Sequence, residues 1–187
     1  MHHIVNHDIS VKHSYVWEQR KLNQVAEFFD NLRVPVTASD RVAGDTPYYG
    51  ANGIQDYVKG YTHDGRFTLV AEDGANDLHT YPVNFVQGKV WVNNHAHVLS
   101  GKAGVADTQF LAYRIQTTNI YPYLVGGGRA KLNGEVLKQI PVRMPSVEEQ
   151  VVITQFLSKV DKAIALHQRK YFSLPPPKLH YFITYRF

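Results

Sequence analysis

The stretch Pro145-Ser146-Val147-Glu148-Glu149-Gln150-Val151-Val152-Ile153 decides how this chain is divided. Pro145 followed by Ser146, with Glu149 three positions later, is the signature of a capped helix start. The serine hydroxyl accepts from a first-turn amide, and the glutamate reaches back to the serine amide. Glu148 and Glu149 also sit where the helix dipole is positive. Beyond them Ile153, Leu157, Val160, Ile164, His167 and Tyr171 recur at alternating spacings of four and three, a heptad seam. The pattern predicts a helix over about residues 147–171, roughly 37 Å long. Such a rod is too long to pack wholly on a small domain, so part of it is expected to project or to pair with another helix. The competing reading is an amphipathic helix lying on its own domain, and a seam this short does not separate the two.

Working back from that helix, residues 17–145 read as one mixed α/β (α+β) domain with short strands and long loops. Trp17, Leu22, Val25, Phe28 and Phe29 fit a short helix or an element entering the core. Pro35, Gly44, Pro47 and Gly50 break up residues 30–50. Strands are expected at 54–61, 67–71, 83–86, 90–92 and 95–99, with a turn at Glu72-Asp73-Gly74-Ala75-Asn76 and a link at Gln87-Gly88-Lys89. Residues 110–115 and 121–125 are apolar and fit helix or strand. The expected division is a lead-in at 1–16, a globular domain at 17–145, a helix at 146–172 and a tail at 173–187.

Bulk composition narrows the function classes. Apolar residues make up 44% of the 187, enough for a real core, and the net charge of +4 permits a polyanionic partner without requiring one. With no cysteine, disulfides and thiolate metal sites are excluded. The apolar runs are too short to span a membrane, and the His-rich start does not read as a signal peptide, so a cytoplasmic protein is expected. The sequence holds no phosphate-binding Gly-rich loop, no His-Glu-x-x-His, no Asp/Glu-x-Lys nuclease triplet and no Gly-x-Ser-x-Gly elbow. Asp45-Thr46-Pro47-Tyr48 misses the amino-methyltransferase motif by one proline. No catalytic residue, metal ligand or cofactor is therefore assigned. His95 and His97 share a strand face but lack a third ligand, and solvent-facing or hydrogen-bonded histidines account for them better.

Three groups have the chemistry of nucleic-acid recognition. Residues 46–53 carry Tyr48, Tyr49 and Asn52 on a segment held by Pro47 and Gly50; phenols and an amide there suit phosphates or base edges, and a tyrosine pair packed beneath a loop is the equal alternative. Lys89, Asn93, Asn94 and His95 form the second group, with Trp91 assigned to the core, and a plain polar turn competes with a contact surface. The third is Gly126-Gly127-Gly128-Arg129-Ala130-Lys131-Leu132-Asn133, where glycines let a backbone approach phosphate and Arg129, Lys131 and Asn133 add charge and an amide.

Taken in order, these motifs resemble the specificity subunits of type I restriction-modification systems. The likeness rests on Trp17-Glu18-Gln19-Arg20-Lys21-Leu22, on Pro47 to Ile54, and on Gly127 to Asn133. It continues through Leu137, Ile140, Pro141, Val142 and Pro145 to Glu148-Glu149-Gln150, Ile153, Phe156 and Leu157, and ends at Leu166 to Lys170. The resemblance implies a target recognition domain that reads double-stranded DNA and a spacer helix able to form an antiparallel coiled coil. It also implies modification subunits holding S-adenosylmethionine and restriction subunits using ATP. One domain and one helix make half of the usual plan, and two copies pairing as a homodimer would read a symmetric split site. After Lys170 the chain departs from the pattern: Pro175-Pro176-Pro177 ends any helix, and the aromatic tail is what a truncated or shifted reading frame would leave. An assembly protein that binds modification subunits without specific DNA recognition is thus a second reading. A stand-alone enzyme is a third, against which the missing motifs weigh.

Overall fold

The computed structural model describes residues 16–126 and 130–172, with side chains as far as residue 168. The expected lead-in through residue 15, Arg129 and the tail from 173 lie outside the described residues. In chain order the elements are β1 (Glu18–Lys21), α1 (Leu22–Val25), β2 (Ala26–Phe28), β3 (Ala43–Gly50), β4 (Gly53–Val58), β5 (His63–Ala71), β6 (Val83–Val92), β7 (Ala96–Gly101), α2 (Thr108–Gln116), α3 (Gly134–Gln139), β8 (Pro141–Met144) and α4 (Val147–Phe172). This is the mixed α+β architecture with a long C-terminal helix that the sequence predicts.

The strands form a six-stranded sheet of order β2-β7-β5-β6-β3-β4, and β1 pairs with β8 in a separate ribbon. Only β3 and β6 run parallel, through Tyr48 beside Trp91 and Tyr49 beside Val92. The register shows that the sheet is rolled. His63 of β5 faces Val90 of β6, while Ala71 at the other end of β5 faces Ala96 of β7. In a flat sheet Val92 and Ala96 would be about 30 Å apart. Four residue steps through Asn93–His95 span at most about 14 Å, so β5 must coil until its two ends approach.

Rolling gives the sheet two apolar faces. Phe67 to Ala71 are all buried, as expected of a strand covered on both sides. One cluster gathers Leu22, Val25, Val70, Leu99, Phe110, Leu111, Ile115, Leu132, Leu137 and Ile140, uniting α1, α2, α3 and the sheet. A second joins Tyr49, Phe67, Leu69, Val86, Val90, Val92 and Val98 from β3, β5, β6 and β7. Burial of each large apolar side chain is worth about 1.5–3 kcal/mol.

Helix α2 resolves an ambiguity in the sequence: residues 110–115 are helical, capped by Asp107, whose carboxylate accepts from the Phe110 amide at 2.8 Å. Residues 121–123 form a single 3-10 turn. Helix α4 starts where predicted, with the Ser146 hydroxyl accepting from the Glu149 amide at 3.3 Å. The reciprocal half of the capping box is replaced: the Glu149 carboxylate accepts from the Trp17 indole at 3.1 Å, and the Ser146 hydroxyl and the Glu148 amide hold the Glu148 carboxyl below its ordinary value.

Residues 43–50, expected as a loop, are strand β3. Gly44 packs so tightly that a Cβ there would stand 2.6 Å from the Val58 and Lys59 backbone, and the register shifts between Ala43 and Thr46. A breaker in sequence is here a close approach within a bulged strand. Likewise 83–92 is one strand rather than two. Gly88, at φ +87°, lies opposite Gly65, so the pair bends at the expected link without ending.

Candidate nucleic-acid interface

The fold brings most of the predicted contact residues to one end of the rolled sheet, around the turn at 72–76. Asn52, in the β3–β4 turn, donates from Nδ2 to the Gly74 carbonyl at 2.8 Å and accepts from the Asn76 amide at 2.9 Å. The Glu72 amide donates to the His95 carbonyl at 2.8 Å, and His95 Nδ1 meets the Asp73 carboxylate. Asp73 also bridges Lys131, and the Leu132 amide donates to the Glu72 carbonyl at 2.7 Å. Four segments far apart in sequence therefore share one hydrogen-bonded surface: 51–53, 72–76, 93–95 and 131–133. Asn52, Gly74, Asn76, Asn94, Lys131 and Asn133 are exposed on it, and His95 is partly so.

The predicted site residues fall into two sets. Asn52, Asn94, His95, Lys131 and Asn133 belong to this surface. Tyr48, Tyr49 and Asn93 do not present themselves outward, which corrects the expectation. Tyr48 is 1% exposed; its hydroxyl accepts from the Val36 amide at 3.0 Å and donates to the Val36 carbonyl at 3.2 Å. Its ring stacks with Trp91 at 6.4 Å between centroids, and the Arg41 guanidinium lies 4.0 Å from its centroid. Tyr49 is buried, and burial beside Tyr57 pushes its phenol up to about 12. It lines a separate cleft of about 690 Å³ between the sheet, α2 and α4, with Tyr113, Asp161 and Lys162. Asn93 is buried with its carbonyl oxygen on the His95 amide at 2.8 Å, so it shapes the turn that carries Asn94. Lys89 stands apart, opposite Asp64, with its ammonium 4.8 Å from the Tyr61 ring.

Asn133 has a second duty: its side chain caps α3 by accepting from the Glu135 amide at 2.9 Å. Lys131 is less free than a basic loop residue should be, because its ammonium lies 2.8 Å from Glu72 while the side chain stays 47% exposed. An ammonium has three donors, so that pair leaves others for an anion. Burial would push the Glu72 carboxyl up, but Lys131, Arg33 and His97 outweigh it and hold it below the ordinary value. Arg33 bonds Glu72 at 2.7 Å and the Ala96 carbonyl at 3.0 Å. His97, 2% exposed, joins Asp30 at 2.6 Å and the Leu132 carbonyl at 2.9 Å. Burial also opposes ionisation of Asp30, yet His97, the Val98 amide and Arg33 bring it below its usual value.

The network joining Asp30, Arg33, Glu72, Asp73 and His97 was missed because, Asp30–Arg33 apart, its pairs link residues tens of positions apart. The one usable signal was the turn at 72–76, read as a turn and nothing more. Among the described residues no group of His, Asp or Glu is arranged to hold a metal ion, and His95 and His97 each bind a carboxylate instead. No helix among them is long and apolar enough to cross a membrane.

The sequence model of the family described as "Type I restriction modification DNA specificity domain" matches residues 16–174, nearly the whole chain. The chain belongs to that family. A Haemophilus influenzae protein named as a type I restriction enzyme specificity subunit is 46% identical to this specificity domain over 140 residues, covering 75% of the chain and 36% of the relative. The EcoprrI specificity subunit of Escherichia coli is 29% identical over 115 residues, covering 62% and 28%. The chain thus spans about a third of the curated relatives it matches. Among solved structures, the fold of the specificity domain is similar to the type I S subunit from M. genitalium at a TM-score of 0.67 and 13% identity, covering 87% of this chain and 45% of that one. It is similar to the HsdS subunit from Thermoanaerobacter tengcongensis at 0.51 and 12%, covering 87% and 42%.

Proposed function

We propose that this specificity domain is a sequence-specific DNA-binding half-subunit of a type I restriction-modification system, acting in the cytoplasm and directing adenine methylation and cleavage by partner subunits. It catalyses nothing itself; S-adenosylmethionine and ATP belong to the modification and restriction subunits. The observation that carries the reading is the convergence of the 51–53, 72–76, 93–95 and 131–133 segments on one surface of exposed amides and one half-exposed ammonium. Exposed Asn94 carries donor and acceptor together, the pairing that adenine presents in the major groove, while Asn52 and Asn133 hold the turns around it and add what amide capacity those bonds leave. Lys131, with Arg129 beside it in sequence, supplies phosphate contacts, and Lys89 reaches phosphate from its separate edge.

Helix α4 is the proposed coupling arm to modification subunits or to a second copy. Its exposed stripe of Val152 (65%), Phe156 (65%) and Leu166 (64%) flanks the partly buried seam of Ile153, Leu157, Val160 and Ile164, with exposed His167 farther along. Tyr171 continues the spacing within the helix. Large apolar groups left on a helix face suit an antiparallel partner.

Duplex binding measured against salt tests the reading. It predicts a steep loss of affinity with salt together with discrimination among sequences. Lys131→Ala should flatten the log–log slope by about one unit. Equal affinity for every duplex at moderate salt, with modification subunits still captured, would favour the assembly-protein reading.

A further inference from the structure

Beneath the surface just described lies a compact charged cluster: Asp30 after β2, Arg33 in the following turn, Glu72 at the end of β5, His97 in β7 and Lys131 in the 130–133 segment. The His97 ring is closed in on both sides. Its Nε2 faces the Leu132 carbonyl at 2.9 Å, and a carbonyl oxygen only accepts, so Nε2 carries a hydrogen. Its Nδ1 faces Asp30 at 2.6 Å, and the same Asp30 accepts from the Val98 amide at 2.8 Å through its other oxygen. Asp30 thereby ties the His97 ring to the β7 backbone. Glu72 lies 3.7 Å from the same Nδ1 and divides its two oxygens between Arg33, at 2.7 Å, and Lys131, at 2.8 Å.

We infer that Asp30, His97 and Glu72 are the positioning residues of the recognition surface, with His97 clamping the 130–133 segment to the sheet so that its amides and ammonium meet the duplex in one fixed geometry. The inference rests on the proposed DNA-binding function and adds to it which buried groups set discrimination. His97 and Glu72 hold the same segment at different atoms. His97 grips Leu132 by its carbonyl. Glu72 grips Leu132 by its own carbonyl and Lys131 by its carboxylate. Arg33 ties Glu72 to the Ala96 carbonyl at the start of β7. Gly134 closes the clamp: a Cβ there would lie 3.3 Å from the imidazole Cε1. A segment fixed from beneath in this way retains base-edge geometry, whereas phosphate attraction tolerates a looser loop.

Two measurements on the full chain test this. Long-range proton–nitrogen correlation of the 15N-labelled protein should show a hydrogen on His97 Nε2, the nitrogen that faces the Leu132 carbonyl; an Nε2 without one overturns the inference whatever else is found. Separately, a pool of random-sequence duplexes is bound and the retained DNA sequenced, using wild type, Glu72→Gln and His97→Gln. Each variant should keep a cooperative melt and bind the unselected pool at low salt within about twofold of wild type, because phosphate attraction survives. Each should lose about tenfold or more of the preference for the motif that wild type enriches, the scale of one misread base pair. If His97→Gln fails to fold, Glu72→Gln carries the comparison. Undiminished preference in the folded variants overturns the inference alone. A wild-type chain that enriches no motif overturns the DNA-reading function and this inference together.

Discussion

At the scale of single residues, a polar side chain near the surface and one facing solvent proved to be different things. Tyr48 and Asn93 have the chemistry of DNA contacts, but the fold turns both inward. Tyr48→Phe should leave the Val36 amide and carbonyl without their buried partner and cost about 1–3 kcal/mol of stability in a denaturant melt, with no change in the salt dependence of duplex binding. The charged cluster gives a pH prediction of definite sign. Glu72 and Asp30 are held below their ordinary values of 4.5 and 3.8, so the unfolded chain binds more protons as pH drops through this range. Their contribution is complete above the unfolded values and is lost as pH falls through the lower folded ones. Unfolding free energy should therefore decline from about pH 5 toward pH 3, and Glu72→Gln should make that decline shallower; an unchanged profile would show that Glu72 is not linked to folding. None of this was legible in sequence, because Glu72 meets its cations Arg33 and Lys131 only after β5 has coiled.

At the scale of elements, α4 was the most legible part and the sheet the least. The helix start announced itself locally through Ser146, Glu148 and Glu149. Strand β3 did not, because Gly44, Pro47 and Gly50 look like breakers until β4 is beside them. The seam reading was right about the helix but incomplete about its surroundings. The first turns of α4 are docked: Gln150, fully buried, accepts from the Asp107 amide at 2.9 Å and donates to the Val105 and Pro145 carbonyls at 3.2 and 3.0 Å. Thr154 adds a bond to Asp107 at 3.2 Å, and Tyr113 reaches Asp161 at 2.6 Å. Gln150→Leu should orphan three buried groups and destabilise the chain by about 2–4 kcal/mol in urea. Phe156→Glu, on the exposed stripe, should alter stability by less than about 0.5 kcal/mol while weakening capture of the modification subunit or self-association in sedimentation. Unimpaired association would place the coupling surface elsewhere.

At the scale of the whole molecule, a rolled sheet gathers the proposed recognition segments at one end, and α4 docks on the body through its first turns. The matched stretches cover 36 and 28% of the two curated relatives, and the described residues hold one such surface and one such helix. Two copies paired through α4 in antiparallel fashion would place two identical surfaces about a two-fold axis, and the DNA site they read would be symmetric and split. On the proposed function, the surface around Glu72 tells the modification subunit which adenines to methylate. Base-resolution methylation profiling of DNA exposed to this chain with its cognate modification subunit tests that most directly. Methyl-adenine is expected at one split, symmetric motif that loses definition in Glu72→Gln. Methylation that is absent or scattered without a motif, although the two proteins co-purify, would contradict it.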